Sequence, residues 1–143
     1  MATLVVQGPP TGFGDRHDLP PAIPSWGPLP EGTKSLVVTA FDADAPIPGG
    51  LWHWAVKDVP ATAGGLPHGT ADRGVTLTND LGVRAYTGAK PPPGTGTHRM
   101  FIRVTALGVE TIGLPPDTSL AMLNITMIPH TLGRAIIVGT SRA

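Results

Sequence analysis

The chain has 143 residues, of which 41% are hydrophobic and 14% are charged, and its formal net charge is zero. This composition is typical of a globular domain and argues against a disordered chain, a nucleic-acid-binding surface and a polybasic membrane-binding segment. Because the chain contains no cysteine, disulfides, thiolate catalysis and cysteine metal ligands are excluded. We therefore predict one domain over residues 1–143 with no membrane span, and the absence of a signal-peptide pattern after Met1 favours a cytoplasmic location.

The first predicted element is an irregular arm over residues 8–34, which holds seven prolines. Proline fixes φ and removes a backbone donor, so central strands are disfavoured there. We expect this arm to lie along the surface, with Phe13 and Trp26 as its anchors in the core.

Apolar runs with the length of β-strands follow the arm, and glycines and prolines cluster between them as turns do. The runs cover residues 35–41, 51–59, 74–78 and 100–109. Because side chains alternate along a strand, Trp52 and Trp54 are predicted on one face of the second run and His53 on the other. The face predicted to be apolar in the fourth run holds Met100, Ile102, Val104 and Ala106.

A helix is predicted near the C-terminus, where the apolar period changes. Its buried stripe consists of Leu120, Leu123 and Met127. Asp117 or Thr118 is the predicted N-cap, and Pro129 is expected to end the helix. Residues 135–140 then form a last strand.

Polar side chains concentrate in two segments that lie at predicted strand ends. In FDADAPIPGGLWHWAVKDVP, Asp42 and Asp44 precede a Pro/Gly-rich loop, and His53 lies on the following strand. In NDLGVRAYTGAKPPPGTGTHR, consecutive prolines favour a stiff, extended lip that ends at His98. Residues at a strand end beside a rigid rim are well placed to line a pocket.

These segments resemble the phosphatidylethanolamine-binding proteins, and more closely their bacterial, Raf-kinase-inhibitor-like branch. The shared motifs are DADAP, then HW on a strand, then YxGxxPPxGxxxHR before an apolar strand, over roughly residues 20–142. The resemblance implies a mostly β fold: an antiparallel β-sandwich with a large central sheet, a smaller sheet and one or two peripheral C-terminal helices. It also implies a cis peptide bond between Ala45 and Pro46.

The resemblance further implies a small, preformed pocket for an anion. The residues that it assigns to ligand binding are Asp42, Asp44, Pro46, His53, Tyr86, Gly88, Lys90, Pro91, His98 and Met100. Two of them depart from the family pattern, since Met100 replaces a common tyrosine and Lys90 replaces a small or neutral residue. A histidine can donate to a phosphate oxygen and a carboxylate can accept from an ammonium group, so the set suits a zwitterionic head group.

We therefore expect a binding protein for a small anionic or phosphate-bearing ligand, with no cofactor and no metal. The resemblance implies that the occupied pocket modulates a protein partner and that the chain forms a homodimer. An alternative is an enzyme that uses His53, His98 and Asp42 for general acid–base chemistry, such as cyclisation, isomerisation or elimination. A third is an interaction protein with a vestigial pocket.

Two competing interpretations concern single residues of this set. Asp44 and Arg99 are also predicted to form a buried structural ion pair, because an arginine at a strand start most often satisfies a carboxylate. Asp42, His53 and His98 also match a metal site with two histidines and one carboxylate.

Overall fold

The computed structural model describes residues 2–3, 26–65, 73–87 and 93–142. Six strands and one α-helix lie within these ranges. They are β1 (Ala2–Thr3), β2 (Ser35–Asp42), β3 (Leu51–Pro60), β4 (Val75–Thr76), β5 (Thr97–Leu107), α1 (Leu120–Met127) and β6 (Thr131–Arg142). The chain is therefore mostly β with one C-terminal helix, which confirms the predicted fold class.

The strands of the described ranges form one sheet in the order β1-β6-β5-β2-β3-β4. All neighbours are antiparallel except β1, which pairs parallel to β6. The smaller sheet of the predicted sandwich is not formed by residues within those ranges. The long strands β2 and β5 are central, as expected for apolar runs that are covered on both faces.

Each face of the sheet carries its own apolar cluster. The first apolar cluster is centred on Val38, Trp54, Met100 and Ile102. The second apolar cluster is centred on Val37, Leu77, Leu107 and Leu123, so that α1 covers this face. Trp26 is fully buried in the first cluster, which confirms it as an anchor, whereas Phe13 lies outside the described residues.

Strand β3 departs from simple alternation at a β-bulge. Phe41 pairs with Trp52 and Ala40 pairs with Trp54, so His53 has no partner across the ladder. Trp54 lies in the first apolar cluster and Trp52 packs against the second. The prediction that both tryptophans share one face is wrong, because one extra residue in a strand shifts every later side chain to the other face.

The other predicted faces agree with the structure. Alternate residues of β5 contribute to the first apolar cluster as expected, namely Met100, Ile102, Val104 and Ala106. Arg103 lies on the opposite face and donates to Asn124 of α1.

Helix α1 begins one residue later than predicted. Its N-cap is Ser119, whose Oγ accepts a hydrogen bond from the Met122 amide at 3.2 Å. The predicted caps are wrong because Thr118 belongs to the preceding turn, where its amide donates to the Pro115 carbonyl at 3.0 Å. The predicted apolar stripe is buried as expected. The helix ends before a short 3₁₀ turn, Ile128–His130, which contains Pro129.

Candidate functional site

Three titratable side chains meet at one end of the sheet: Asp42, His53 and His98, called here the buried trio. Asp42 is the last residue of β2, and it pairs with Leu51 near the start of β3 and with Met100 near the start of β5. Because these neighbours run antiparallel to β2, their first residues and its last residue lie at the same edge. The side chains of the buried trio are between 3% and 9% exposed.

His98 is held by two side chains. Its Nδ1 lies 2.7 Å from Asp42 Oδ2, and its Nε2 lies 2.9 Å from Thr95 Oγ1. An ionised carboxylate only accepts hydrogen bonds, so Nδ1 carries the proton and donates. Asp42 Oδ1 accepts from the Asp44 amide at 2.9 Å. Asp42 therefore forms a local turn and orients His98 at the same time.

His53 is held at one ring nitrogen only. Its Nδ1 donates to the Thr87 carbonyl at 2.7 Å. Its Nε2 is buried, has no hydrogen-bond partner among the described residues, and lies 4.0 Å from Asp42 Oδ2. A neutral imidazole would turn a lone pair toward the carboxylate, whereas an imidazolium would turn a donor toward it. A donor group within hydrogen-bond distance of both atoms would satisfy both.

The position of His53 depends on Asn79, which sequence reasoning missed. The Asn79 amide nitrogen donates to the His53 carbonyl and to Thr87 Oγ1, each at 3.0 Å. The Thr87 amide also donates to the His53 carbonyl at 3.1 Å. Asn79 is buried and the residues that it joins are far apart in sequence. The only local signal was an Asn-Asp pair in a loop, which predicts a turn and not a long-range contact.

The other predicted site residues have different surroundings. Tyr86 and Met100 are buried in the first apolar cluster, and Tyr86 makes an edge-on contact with Trp54 at a centroid distance of 6.0 Å. Pro46 is exposed. The predicted lip residues Gly88, Lys90 and Pro91 lie outside the described residues.

Asp44 forms a two-pronged ion pair with Arg99. Arg99 Nε and Nη2 donate to the two carboxylate oxygens at 2.8 and 2.9 Å, and the Arg99 amide donates at 2.8 Å. The prediction of this pair is confirmed, but its predicted burial is wrong, since the Arg99 side chain is 56% exposed. It lies at the surface because Arg99 points away from the first apolar cluster, over the ring of Phe101. The hydrogen bonds from Arg99 lower the pKa of Asp44 well below its usual 3.8.

The peptide bond between Ala45 and Pro46 is not cis, so that prediction is wrong. The trans form is the more stable one for most bonds that precede proline. Here the loop turns instead through a hydrogen bond of 2.7 Å from the Ile47 amide to the Ala45 carbonyl.

Two features are absent from the described ranges. Within them, no group of three or more His, Asp, Glu or Cys side chains is arranged to hold a metal ion. No helix there is long and apolar enough to cross a membrane.

A family model described as phosphatidylethanolamine-binding protein matches residues 8–142. The chain belongs to the phosphatidylethanolamine-binding protein family. The UPF0098 protein YbhB of Escherichia coli K12 is 39% identical over 134 residues, which cover 88% of this chain and 84% of YbhB. The crystal structure of Escherichia coli YbcL, described as a new member of the mammalian PEBP family, has a TM-score of 0.85 and 30% identity over 99% of both chains.

One further relative of this chain bears on its location. A protein of Mycobacterium tuberculosis that carries the name lipoprotein LppC is 33% identical over 113 residues, which cover 78% of this chain and 55% of LppC. The predicted cytoplasmic location therefore stays a prediction.

Proposed function

We propose that this family member binds a small anionic ligand, with a phosphate-bearing head group, at the buried trio. The observation that carries the proposal concerns Nε2 of His53, which has no hydrogen-bond partner among the described residues and is buried 4.0 Å from Asp42 Oδ2. A buried polar atom without a hydrogen bond costs about 1–3 kcal/mol, so a ligand that satisfies it gains binding energy.

The donors and acceptors of the trio support a ligand that carries both charges. An ammonium group donates to Asp42 Oδ2 and to the lone pair of a neutral His53, whereas an imidazolium at His53 donates to a phosphate oxygen. His98 is already held by Asp42 and Thr95, which keeps its ring fixed beside the ligand. In this proposal Asp44 is a positioning residue, since its amide holds Asp42 and its carboxylate is occupied by Arg99.

The test is an amide-shift titration of the isotopically labelled protein with phosphorylethanolamine, with ethanolamine and inorganic phosphate as separate arms. We expect saturable shifts at the buried trio. His53→Asn keeps a donor near the Nδ1 position for the Thr87 carbonyl but removes Nε2, and it should weaken binding by about tenfold or more. His130→Ala, a histidine remote from the trio, is the matched control and should bind as the wild type does.

Two results would oppose this proposal. One is the absence of any shift with all three probes in a protein whose spectrum is that of a folded chain. The other is equal binding by the wild type and His53→Asn. Tighter binding of phosphorylethanolamine than of either fragment would identify a zwitterionic head group as the ligand class.

A second candidate function is general acid–base catalysis on a small organic substrate. It is favoured by the Asp42–His98 hydrogen bond and by the nearby Nε2 of His53, which has no partner among the described residues. Met100, which pairs with Asp42 across the ladder, adds an apolar side chain. Proton exchange next to the carbonyl of an apolar ketone, followed in D₂O, would test it. Exchange that is lost in His53→Asn supports catalysis, and a rate equal to that of buffer opposes it.

We also propose a cytoplasmic homodimer in which ligand occupancy modulates contact with a protein partner. The family resemblance supports the dimer and the partner, and exposed apolar side chains on α1, such as Ile125 at 60%, offer a contact surface. Light scattering with and without phosphorylethanolamine tests the assembly, and a monomer mass in both would oppose it. Fractionation of cells that express the protein tests the location.

A further inference from the structure

A cavity of about 270 Å³ lies on the face of the sheet opposite the buried trio. This cavity is called here the sheet cavity. It is lined by Thr39, Phe41, Ala43, Trp52, Phe101, Arg103 and Ile136. Side chains alternate along β2 and β5, so Thr39 and Arg103 point away from the face that carries Asp42 and His98. The sheet cavity is therefore separated from the trio by the sheet itself.

Two polar side-chain atoms at the sheet cavity have no hydrogen-bond partner among the described residues. Thr39 and Arg103 are direct partners across β2 and β5, which places their Cβ atoms about 5 Å apart on one face. Within the described part of the chain, Thr39 Oγ1 and Arg103 Nε are buried and have no hydrogen-bond partner. Thr39 is 2% exposed. A hydroxyl and a guanidinium N–H on paired residues of one face are two donors that suit a carboxylate.

The charge of Arg103 also lacks a counter-ion in the described ranges. Its Nη2 donates to Asn124 Oδ1 on α1, which is neutral, and none of the ion pairs there includes Arg103. Burial and the nearby charge of Arg134 lower the pKa of Arg103. A cation that has lost water and gained a cationic neighbour is stabilised by an anion.

The rest of the sheet cavity is aromatic. The rings of Phe41 and Trp52 are 4.5 Å apart between centroids and inclined by 49°. Phe101 pairs with Phe41 across the ladder and extends this wall. A row of aromatic rings therefore lies beside the row that holds Thr39 and Arg103, which fits a ligand with one apolar end and one anionic end.

We propose that the sheet cavity binds a small monocarboxylate with an aromatic body. The carboxylate accepts from Arg103 Nε and Thr39 Oγ1, and the body packs on Phe41, Trp52 and Phe101. The volume lies just below the roughly 300–1,000 Å³ typical of pockets for drug-sized ligands, so a ligand with one ring is the expected size. The proposal does not depend on the function of the trio.

The test uses 3-phenylpropionate as the probe and the neutral 3-phenylpropionamide as its matched analogue. Methyl shifts of Thr39 and Ile136 report on the sheet cavity. We expect saturable shifts with the acid and binding of the amide that is weaker by about tenfold or more, because only the acid pairs with the guanidinium. Thr39→Val keeps the shape of the side chain but removes the hydroxyl. It should weaken the binding of the acid without changing the binding of the amide.

Arg103→Lys keeps the charge but loses the planar guanidinium, so it should weaken the binding of the acid. This variant keeps the test valid if Arg103→Gln fails to fold. His53→Asn is the control and should bind the acid as the wild type does. The proposal is overturned by equal binding of acid and amide, or by shifts that appear at the trio and vanish in His53→Asn. The proposal is also overturned if the acid leaves the Ile136 methyl shift unchanged in a protein that light scattering shows to be a dimer.

Discussion

Asp42 and Asp44 are two residues apart and have the same side chain, but their surroundings give them different roles. Asp42 is buried and holds the His98 ring through one oxygen and the chain turn through the other. Asp44 is half-buried, and both of its oxygens accept from Arg99. Asp42 therefore orients the His98 ring, whereas Asp44 fixes the loop.

The Asp44–Arg99 pair predicts a pH-dependent stability. Hydrogen bonds from Arg99 lower the folded pKa of Asp44 below its usual 3.8, so the pair stabilises the fold above pH 3.8 and the stabilisation is lost as the pH falls through the folded pKa. Asp44→Asn should lower the melting temperature slightly at pH 7, and this difference should shrink well below pH 3.8. Because the pair is exposed, high salt should also shrink it.

Glu31→Gln is the matched control for Asp44→Asn, because Glu31 is exposed and forms none of the ion pairs in the described ranges. Its melting temperature should follow the wild type at every pH. A difference between Asp44→Asn and the wild type that is unchanged at pH 2 would contradict the assigned role of the ion pair.

At the scale of elements, strand β3 has two irregular positions, and each of them places a side chain in a specific contact. The bulge at His53 turns this residue toward Asp42, and a second register shift occurs where Asp58 adopts a left-handed φ of 58°. Asp58 accepts from Lys57 Nζ at 2.7 Å and from the Ile112 amide at 2.8 Å. The same irregularity therefore neutralises a buried lysine and holds the connection to α1.

Replacement of Asp58 should destabilise the fold in a graded order. Asp58→Ala loses both hydrogen bonds, leaves the buried Lys57 without an anion and strains the left-handed backbone, at a cost of about 3 kcal/mol or more. Asp58→Asn tolerates the left-handed backbone and keeps an acceptor for the Ile112 amide, so it should cost less. Urea unfolding measures both values, and an equal cost for the two variants would refute this order.

The N-cap of α1 gives a second prediction at this scale. Ser119→Ala removes the acceptor for the Met122 amide and should lower the free energy of unfolding by about 1 kcal/mol. Thr118→Ala is the control and should change it by less than about 0.5 kcal/mol, since Thr118 is not the cap. Urea unfolding of both variants decides between the two positions, and a larger loss in Thr118→Ala would identify it as the cap.

At the scale of the whole molecule, the two apolar clusters share the strands that separate them. Val37 and Val38 are neighbours on β2 and point into opposite clusters. Neither cluster can lose its packing without disturbing the central ladder of β2, β3 and β5. The buried trio, the sheet cavity and α1 are therefore parts of one cooperative structure.

This arrangement predicts a single unfolding transition. Tryptophan fluorescence, which reports on Trp26, Trp52 and Trp54, should change at the same urea concentration as the far-UV circular dichroism. Leu123→Ala, on the far side of the sheet, should lower both midpoints together and cost about 2–5 kcal/mol. Leu81→Ala, which changes a side chain that is 58% exposed, should cost less than about 0.5 kcal/mol, and separate midpoints for the two probes would contradict one cooperative unit.

The sequence by itself determined the features that depend on near neighbours. The strands, the apolar stripe of α1 and the alternation of β5 follow from local periodicity, and the DADAP and HR motifs indicated the family. The grouping of Asp42, His53 and His98 was predicted from these motifs, and their ligand role stays a prediction.

Only the tertiary structure decided what depends on residues that are distant along the chain. His98 meets Asp42 over a separation of 56 residues, and Asn79 reaches the His53 carbonyl over 26. The register that places Thr39 opposite Arg103 comes from strand pairing, which no local pattern specifies. A bulge adds one residue to a strand and moves the side chains that follow it to the other face of the sheet. This small local irregularity therefore decided which side chains share a site.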